Sequence, residues 1–269
     1  MPEQSNIGSH TDRPVDRRSL PCVSPRRKKR QGGQEFLEFG LVVPFMLFPM
    51  LLGTFTAGMN LLITVQAKDV IRDAANLYIH GTDFSAYASQ QLVQRLAKGL
   101  NFQIASSDPG NQQSSLVTGG NGVIMVSQLE YIGSSTSPNC SSVPSGTTCN
   151  ASSYVFTQRV VFGSSAILAA HPSAIGDYST TGGGTNCGLP TGSSPTISNT
   201  GQVPYPVWNT CAKLSTSGTS AVTAAFTGVS PQTALKDGQV IYMVEGYFDT
   251  SSYNFAGFGN QSVYARYFF

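Results

Sequence analysis

The hydrophobic pattern divides the chain into stretches of different kinds. Residues 1–33 are polar and basic, with few apolar side chains. Gly33–Val65, GQEFLEFGLVVPFMLFPMLLGTFTAGMNLLITV, is then apolar on nearly every side, and no charged residue occurs from Phe39 to Ala67. A helix rises about 1.5 Å per residue, so about 20 residues cross a bilayer core. The run is long enough to span. Beyond it the pattern becomes one-sided. Val65, Val70, Ile71, Ala74, Ala75 and Leu77 or Tyr78 recur at helical spacing, which predicts that the helix continues and stops near Gly81. Asp83 is placed as the N-cap of a second helix, Phe84 to Leu100, packed through Tyr87, Leu92, Val93, Leu96 and Leu100.

After Asn101 the period changes from helical to extended. Val123–Ile132, Tyr154–Phe162, Val240–Phe248 and Ser262–Phe269 are β-branched and aromatic runs that predict four strands. In the last, Val263, Ala265, Tyr267 and Phe269 alternate with Ser262, Tyr264, Arg266 and Phe268, as a sheet with two differently used faces requires. The expected fold is α+β: a long N-terminal transmembrane helix extending into a small outer domain, with a second helix and an antiparallel sheet of about four strands. A Gly/Ser/Pro-rich insertion is expected at about 164–237, where TTGGGTNCGLPTGSSPT is too simple in composition to build a core. Tyr205 and Trp208 in VPYPVWNT are the residues expected to anchor it to the sheet.

Charge adds a direction. Arg13, Arg17, Arg18 and the run Arg26, Arg27, Lys28, Lys29 and Arg30 all precede the apolar stretch. Basic residues on the near side hold that side in the cytoplasm and place the chain beyond about residue 66 outside. So close to a span, RRKKR reads as a topology signal rather than a nucleic-acid patch. Residues 1–25 carry too little apolar content to fold and read as disordered. The division expected is a leader over 1–33, a span over 34–66 and an extracytoplasmic α+β domain over 67–269. Charged residues make up only 11% of the chain, and serine, threonine and glycine are abundant, as in an extracytoplasmic surface protein.

Cysteines divide the same way. Cys22 lies on the cytoplasmic side, where thiols stay reduced, and Cys140, Cys149, Cys187 and Cys211 lie outside. Four cysteines allow three pairings. The local pairing Cys140–Cys149 and Cys187–Cys211 is expected, because each bond closes a Gly/Ser/Pro-rich loop. A zinc site is disfavoured, since His171 is isolated and no CxxC spacing occurs.

Catalytic patterns are missing from the sequence. His10 falls on the cytoplasmic side, His80 and His171 have no neighbouring cysteine, acid or nucleophile pattern that would make a relay, no G-x-S-x-G elbow is present, and GGGTNCG lacks the Gly-Lys-Ser/Thr ending of a phosphate loop. Asn139, Asn150 and Asn260 head N-x-S sequons that mean nothing without a glycosylating host. No enzyme activity, cofactor or metal is expected.

The informative residue is Glu38, a carboxylate at the cytoplasmic edge of the span, where it is costly without a cationic partner. Cleavage after Gly33 would make Gln34 the first residue and put Glu38 fifth and Phe39 sixth. Cleavage after Gly32 would put Leu37 fifth, so a single register gives a glycine, four residues and then Glu-Phe. This arrangement resembles the prepilin-peptidase site of type IV pilins. EFLEFGLVVPFMLFPMLLGTF, with Pro44 shortly after the Glu-Phe pair, is similar to the N-terminal segment of TadE-like and TadG-like minor pseudopilins of the tight-adherence pilus. The likeness covers about residues 32–82. It departs from the family's pattern in carrying Glu35 as a second acid and in the length of its basic leader.

The resemblance implies a bacterial inner-membrane protein with one span, a cytoplasmic N-terminus and an outer C-terminal domain, incorporated in or assembling a pilus. The partners it implies are the membrane, a prepilin peptidase and other pilin or pseudopilin subunits, with no nucleic acid. Two other readings remain. One is an uncleaved signal-anchored surface protein with a binding or adhesion domain. The other is an exported hydrolase, which lacks catalytic residues and a small-x-small cleavage site, since Phe55 stands three residues before a cut after Ala57.

Overall fold

The computed structural model describes residues 32–107, 114–141, 149–176, 202, 213–214, 219–220, 222–223, 236–250 and 262–269. The chain divides into two compact units, Met1–Met50 and Leu51–Phe269. In the first, the described residues form the N-terminal part of helix α1 (Gly32–Ile79), which runs through Pro44 and Pro49. That helix is long and apolar enough to cross a membrane, and none of its most apolar window is buried within the protein.

The second unit is built on a five-stranded sheet. Its strands are β1 (Ser114–Val117), β2 (Gly122–Ile132), β3 (Ser153–Ser164), β4 (Val240–Asp249) and β5 (Ser262–Phe268), in the order β1-β3-β2-β4-β5. The four long strands fall where the β-branched runs place them, and they pair antiparallel. Two expectations are corrected here. Among the described residues the sheet has five strands where about four were expected, and β1 runs parallel to β3, so the sheet is mixed. Ser-Ser-Leu-Val is too short and too polar to announce itself as a strand; its pairing with Val161–Ser164 makes it one.

One face of this sheet is covered by the one-sided half of α1. Ile63, Ala67, Val70, Ile71, Ala74 and Tyr78 are buried, whereas Val65 lies off that face and is exposed. Alanines let the helix come close, and Gly246 on β4 lies beneath Ile71: a methyl group built there would sit 2.5 Å from Ile71 Cγ1. Phe84, Phe102, Phe162 and Phe248 fill the centre with ring centroids 5.7–5.9 Å apart. Tyr78 donates to Gln158 Oε1 at 3.1 Å and ties the helix to β3.

The stop near Gly81 is as expected. Thr82 N donates to Leu77 O and Gly81 N to Tyr78 O, with Gly81 at φ +85°, the double bond of a Schellman ending.

The second helix is shorter than the expected 84–100. Helix α2 spans Tyr87–Leu96, followed by a 3-10 turn at Lys98–Leu100. Asp83 does not cap it. Its carboxylate accepts from the Ser85 amide and hydroxyl, forming a turn ahead of the helix, and Ala86 holds the N-cap position without a side-chain bond. The packed face also differs: Gln90, Val93, Ala97 and Leu100 are buried, while Leu92 and Leu96 are 41% and 40% exposed. Gln90 is drawn inward because its amide donates to Phe84 O at 2.9 Å.

A second apolar cluster, including Leu129, Ile132, Val155, Phe156, Ile241 and Met243, forms beside Cys140 and Cys149, which helix α3 (Pro138–Ser141) adjoins. Helix α4 (Ser165–Ala170) follows β3 directly. The alternation read in β5 is realised: Val263, Ala265 and Tyr267 pack with the α1 core, and Phe268 with the second cluster.

Candidate processing and assembly segment

Gly33, Gln34, Glu38 and Phe39 all lie in the first two turns of α1. The Gly33–Gln34 peptide bond falls within the first turn, where backbone N–H groups have no partners inside the helix. Glu38 follows Gln34 by four residues, about one turn further along α1. Glu38 is exposed, and around it Phe36 and Phe39 are 80% and 70% exposed. Carboxylates near a helix N-terminus are favoured by the helix dipole, and a freed amine there would add a charge for Glu38 to meet. The basic run Arg26, Arg27, Lys28, Lys29 and Arg30 lies outside the described residues.

Within the apolar run, Pro44 and Pro49 have no amide hydrogen, so the carbonyls of Gly40 and Phe45, four residues earlier, lose their helical donors. The two prolines line an open apolar notch with Phe45 and Phe48. The threonine hydroxyls of the same helix are satisfied internally: Thr54 donates to Leu51 O, Thr56 to Leu52 O and Thr64 to Asn60 O, at 2.7–3.0 Å. That is the arrangement an apolar surrounding demands of a polar side chain.

The second unit, Leu51–Phe269, holds a polar centre that sequence reasoning missed. Glu245, in the middle of β4, is 0% exposed. Its carboxylate accepts from the Ser173 hydroxyl, from the Ala174 amide at 3.2 Å and from the Tyr264 hydroxyl at 2.8 Å. Arg159, on β3, is also buried; it donates to Gly176 O at 2.8 Å and lies over the Phe156 ring. Together they clasp the loop that follows α4. Burial pushes the Tyr264 hydroxyl far above the usual phenol range, the Glu245 charge and hydrogen bond push it further, and Arg266 opposes them. Burial also raises Tyr247, which stacks between His171 and Tyr264 with centroids 4.8 and 4.4 Å away. The signal was present in the sequence: β3, β4 and β5 each carry one charge in mid-strand, at Arg159, Glu245 and Arg266.

Cys140 and Cys149 form a disulfide, Cα–Cα 5.5 Å, as the local pairing expects. Cys22, Cys187, Cys211, Tyr205 and Trp208 lie outside the described residues. Beside the disulfide, Asp237 accepts from the Gly133 amide at 2.7 Å and the Ser137 hydroxyl at 2.6 Å, and these bonds lower its pKa. Glu130 accepts from Asn139 at 2.7 Å; burial nonetheless raises its pKa, with the Asp237 charge adding to the rise.

No family model, curated protein or solved structure matches the chain.

Proposed function

We propose that the chain is a minor pseudopilin-like subunit of a tight-adherence pilus, anchored in the bacterial inner membrane by α1 and processed after Gly33 by a prepilin peptidase. The observation that carries this reading is the single Gly33, Glu38, Phe39 register at the head of the charge-free run Phe39–Ala67, whose large apolar side chains up to Leu62 stay exposed among the described residues. The resemblance stated from the sequence supplies the family.

Processing begins with local unwinding. A protease takes an extended strand, and the first turn of α1 is the cheapest part of the helix to open, with Gly32 and Gly33 adding backbone freedom. Cleavage removes the basic leader and leaves an α-amine on Gln34, with an ordinary pKa near 8 and so mostly protonated at neutral pH. Glu38 then pairs with the amine of a neighbouring subunit as helices stack. In a low-dielectric setting that attraction far exceeds its value in water and sets the stagger between subunits. Desolvation offsets much of the gain, so the pair acts on register more than on stability. The leader's basic residues hold the N-terminus in the cytoplasm until the cut is made. No catalytic role is proposed.

The test compares wild type, Glu38→Gln and Glu38→Lys in cells that carry the peptidase and the assembly machinery. Loss of incorporation into pili with the protein still in the membrane is expected for both. Normal processing and normal incorporation of both variants would refute the reading.

A further inference from the structure

The charge-free run is longer than a bilayer core requires. Phe39–Ala67 is 29 residues. At about 1.5 Å per residue it extends roughly 43 Å, against about 30 Å of hydrocarbon. With Glu38 at the inner edge, the hydrocarbon ends near Gly58 to Asn60. Leu61 and Leu62, both exposed, then lie at the level of the outer headgroups, and exposed Val65 at their outer edge. Gln66 follows roughly 10 Å beyond the hydrocarbon.

A second segment is held at that level. The turn after α2 approaches Gln66 so closely that a methyl group built at Gly99 would lie 2.7 Å from Gln66 Nε2 and 2.9 Å from Oε1. Next to Gly99 along the chain are exposed Arg95, Leu96 and Lys98 at the α2 end, and exposed Lys68 follows Gln66 on α1. The nearest acid on α1, Asp69, is paired with Arg72 at 3.1 Å. Leu92 and Leu96 are thus apolar positions turned away from the core, on the helix whose basic end meets α1 where the span emerges.

We propose that this end of the outer domain rests on the bilayer in which α1 is anchored, with Leu61 and Leu62 among the headgroups, Val65 and Leu96 at their outer edge, and the long side chains of Lys68, Arg95 and Lys98 reaching anionic phospholipid. The inference rests on the reading of α1 as a span. Long basic side chains bury their stems along apolar surface and keep their charge at the phosphate level, so the aliphatic and basic residues act together. The surface holds the domain against the membrane until the subunit leaves it.

The full chain is placed in vesicles of phosphatidylglycerol and phosphatidylcholine with a photo-crosslinking benzophenone amino acid at position 50, 96 or 76. Met50 reports on the span, Leu96 on the collar and exposed Asn76 on the domain about 15 Å further along the helix. Lipid adducts are expected at 50 and 96 and not at 76. Arg95→Gln and Lys98→Gln should each lower the adduct at 96 roughly fivefold without changing that at 50. Adducts at 50 alone would overturn the proposal and leave the span standing. No adduct at 50 would sink both. An adduct at 96 that is equal in vesicles of phosphatidylcholine alone would overturn the role given to the basic residues.

Discussion

Two halves of one helix solve the same problem differently. From Phe36 to Leu62 α1 exposes phenylalanine, leucine and methionine on all sides, while from Ile63 to Ile79 it is apolar on one face and buries that face on its own sheet. The second half has a partner in the chain. The first half has none among the described residues, and apolar area of that extent in contact with water would be strongly unfavourable. The difference teaches that periodicity, more than apolar content, tells a helix that folds onto its own domain from one that needs an outside solvent.

Substitutions should separate the halves. Ile71→Ala should cost about 2–5 kcal/mol of the stability of the sheet-bearing unit, because Ile71 is fully buried over Gly246. Thermal unfolding of the full chain in detergent reads this, and membrane retention should not change. Leu47→Arg should do the reverse. A basic residue at mid-span costs about 3 kcal/mol of insertion, so the membrane-bound fraction should fall while the unfolding temperature holds.

Within the domain, Glu245→Gln leaves the Ser173, Ala174 and Tyr264 donors with a weaker acceptor. A loss of about 1–3 kcal/mol is expected, with faster proteolysis of the loop beyond Ala170 as the second readout. Gly81→Ala should cost about 1 kcal/mol, since residue 81 holds a left-handed conformation at the helix end. The pH effect is the smallest. Asp237 has its folded pKa below its ordinary value of 3.8, so its contribution is full above that value and is lost as pH falls through the lowered one. Glu130, raised above 4.5, works in the opposite sense: protonation as pH falls through its folded value favours the native state. Stability followed by urea unfolding should therefore fall only below about pH 4. In Asp237→Asn that acid-limb fall should shrink.

The long strands were legible because their β-branched and aromatic runs are continuous. The buried positions of α1 from Val70 to Tyr78 were legible because they repeat at helical spacing. Strand β1 was not, because a parallel edge strand of four residues takes its identity from β3. The stripe on α2 failed where a hydrogen bond outweighed hydrophobicity. Gln90 turns inward to Phe84 O, and this rotates Leu92 and Leu96 outward. Asp83 was read for the right chemistry at the wrong place, since an aspartate that caps a helix also closes a turn before one. For the candidate site, spacing gave the Gly33, Glu38, Phe39 register directly. The buried Glu245 was passed over because a single acid in an apolar strand was read as part of the strand.

The central claim is that the apolar half of α1 begins, in the working protein, at Gln34. The direct measurement is the N-terminal sequence and intact mass of the chain recovered from membranes of a bacterial host with an active prepilin peptidase. A mature chain starting at Gln34 and lacking the basic leader is the predicted result. A chain that still carries Arg26–Arg30 would contradict it and leave a permanent signal anchor bearing the outer domain.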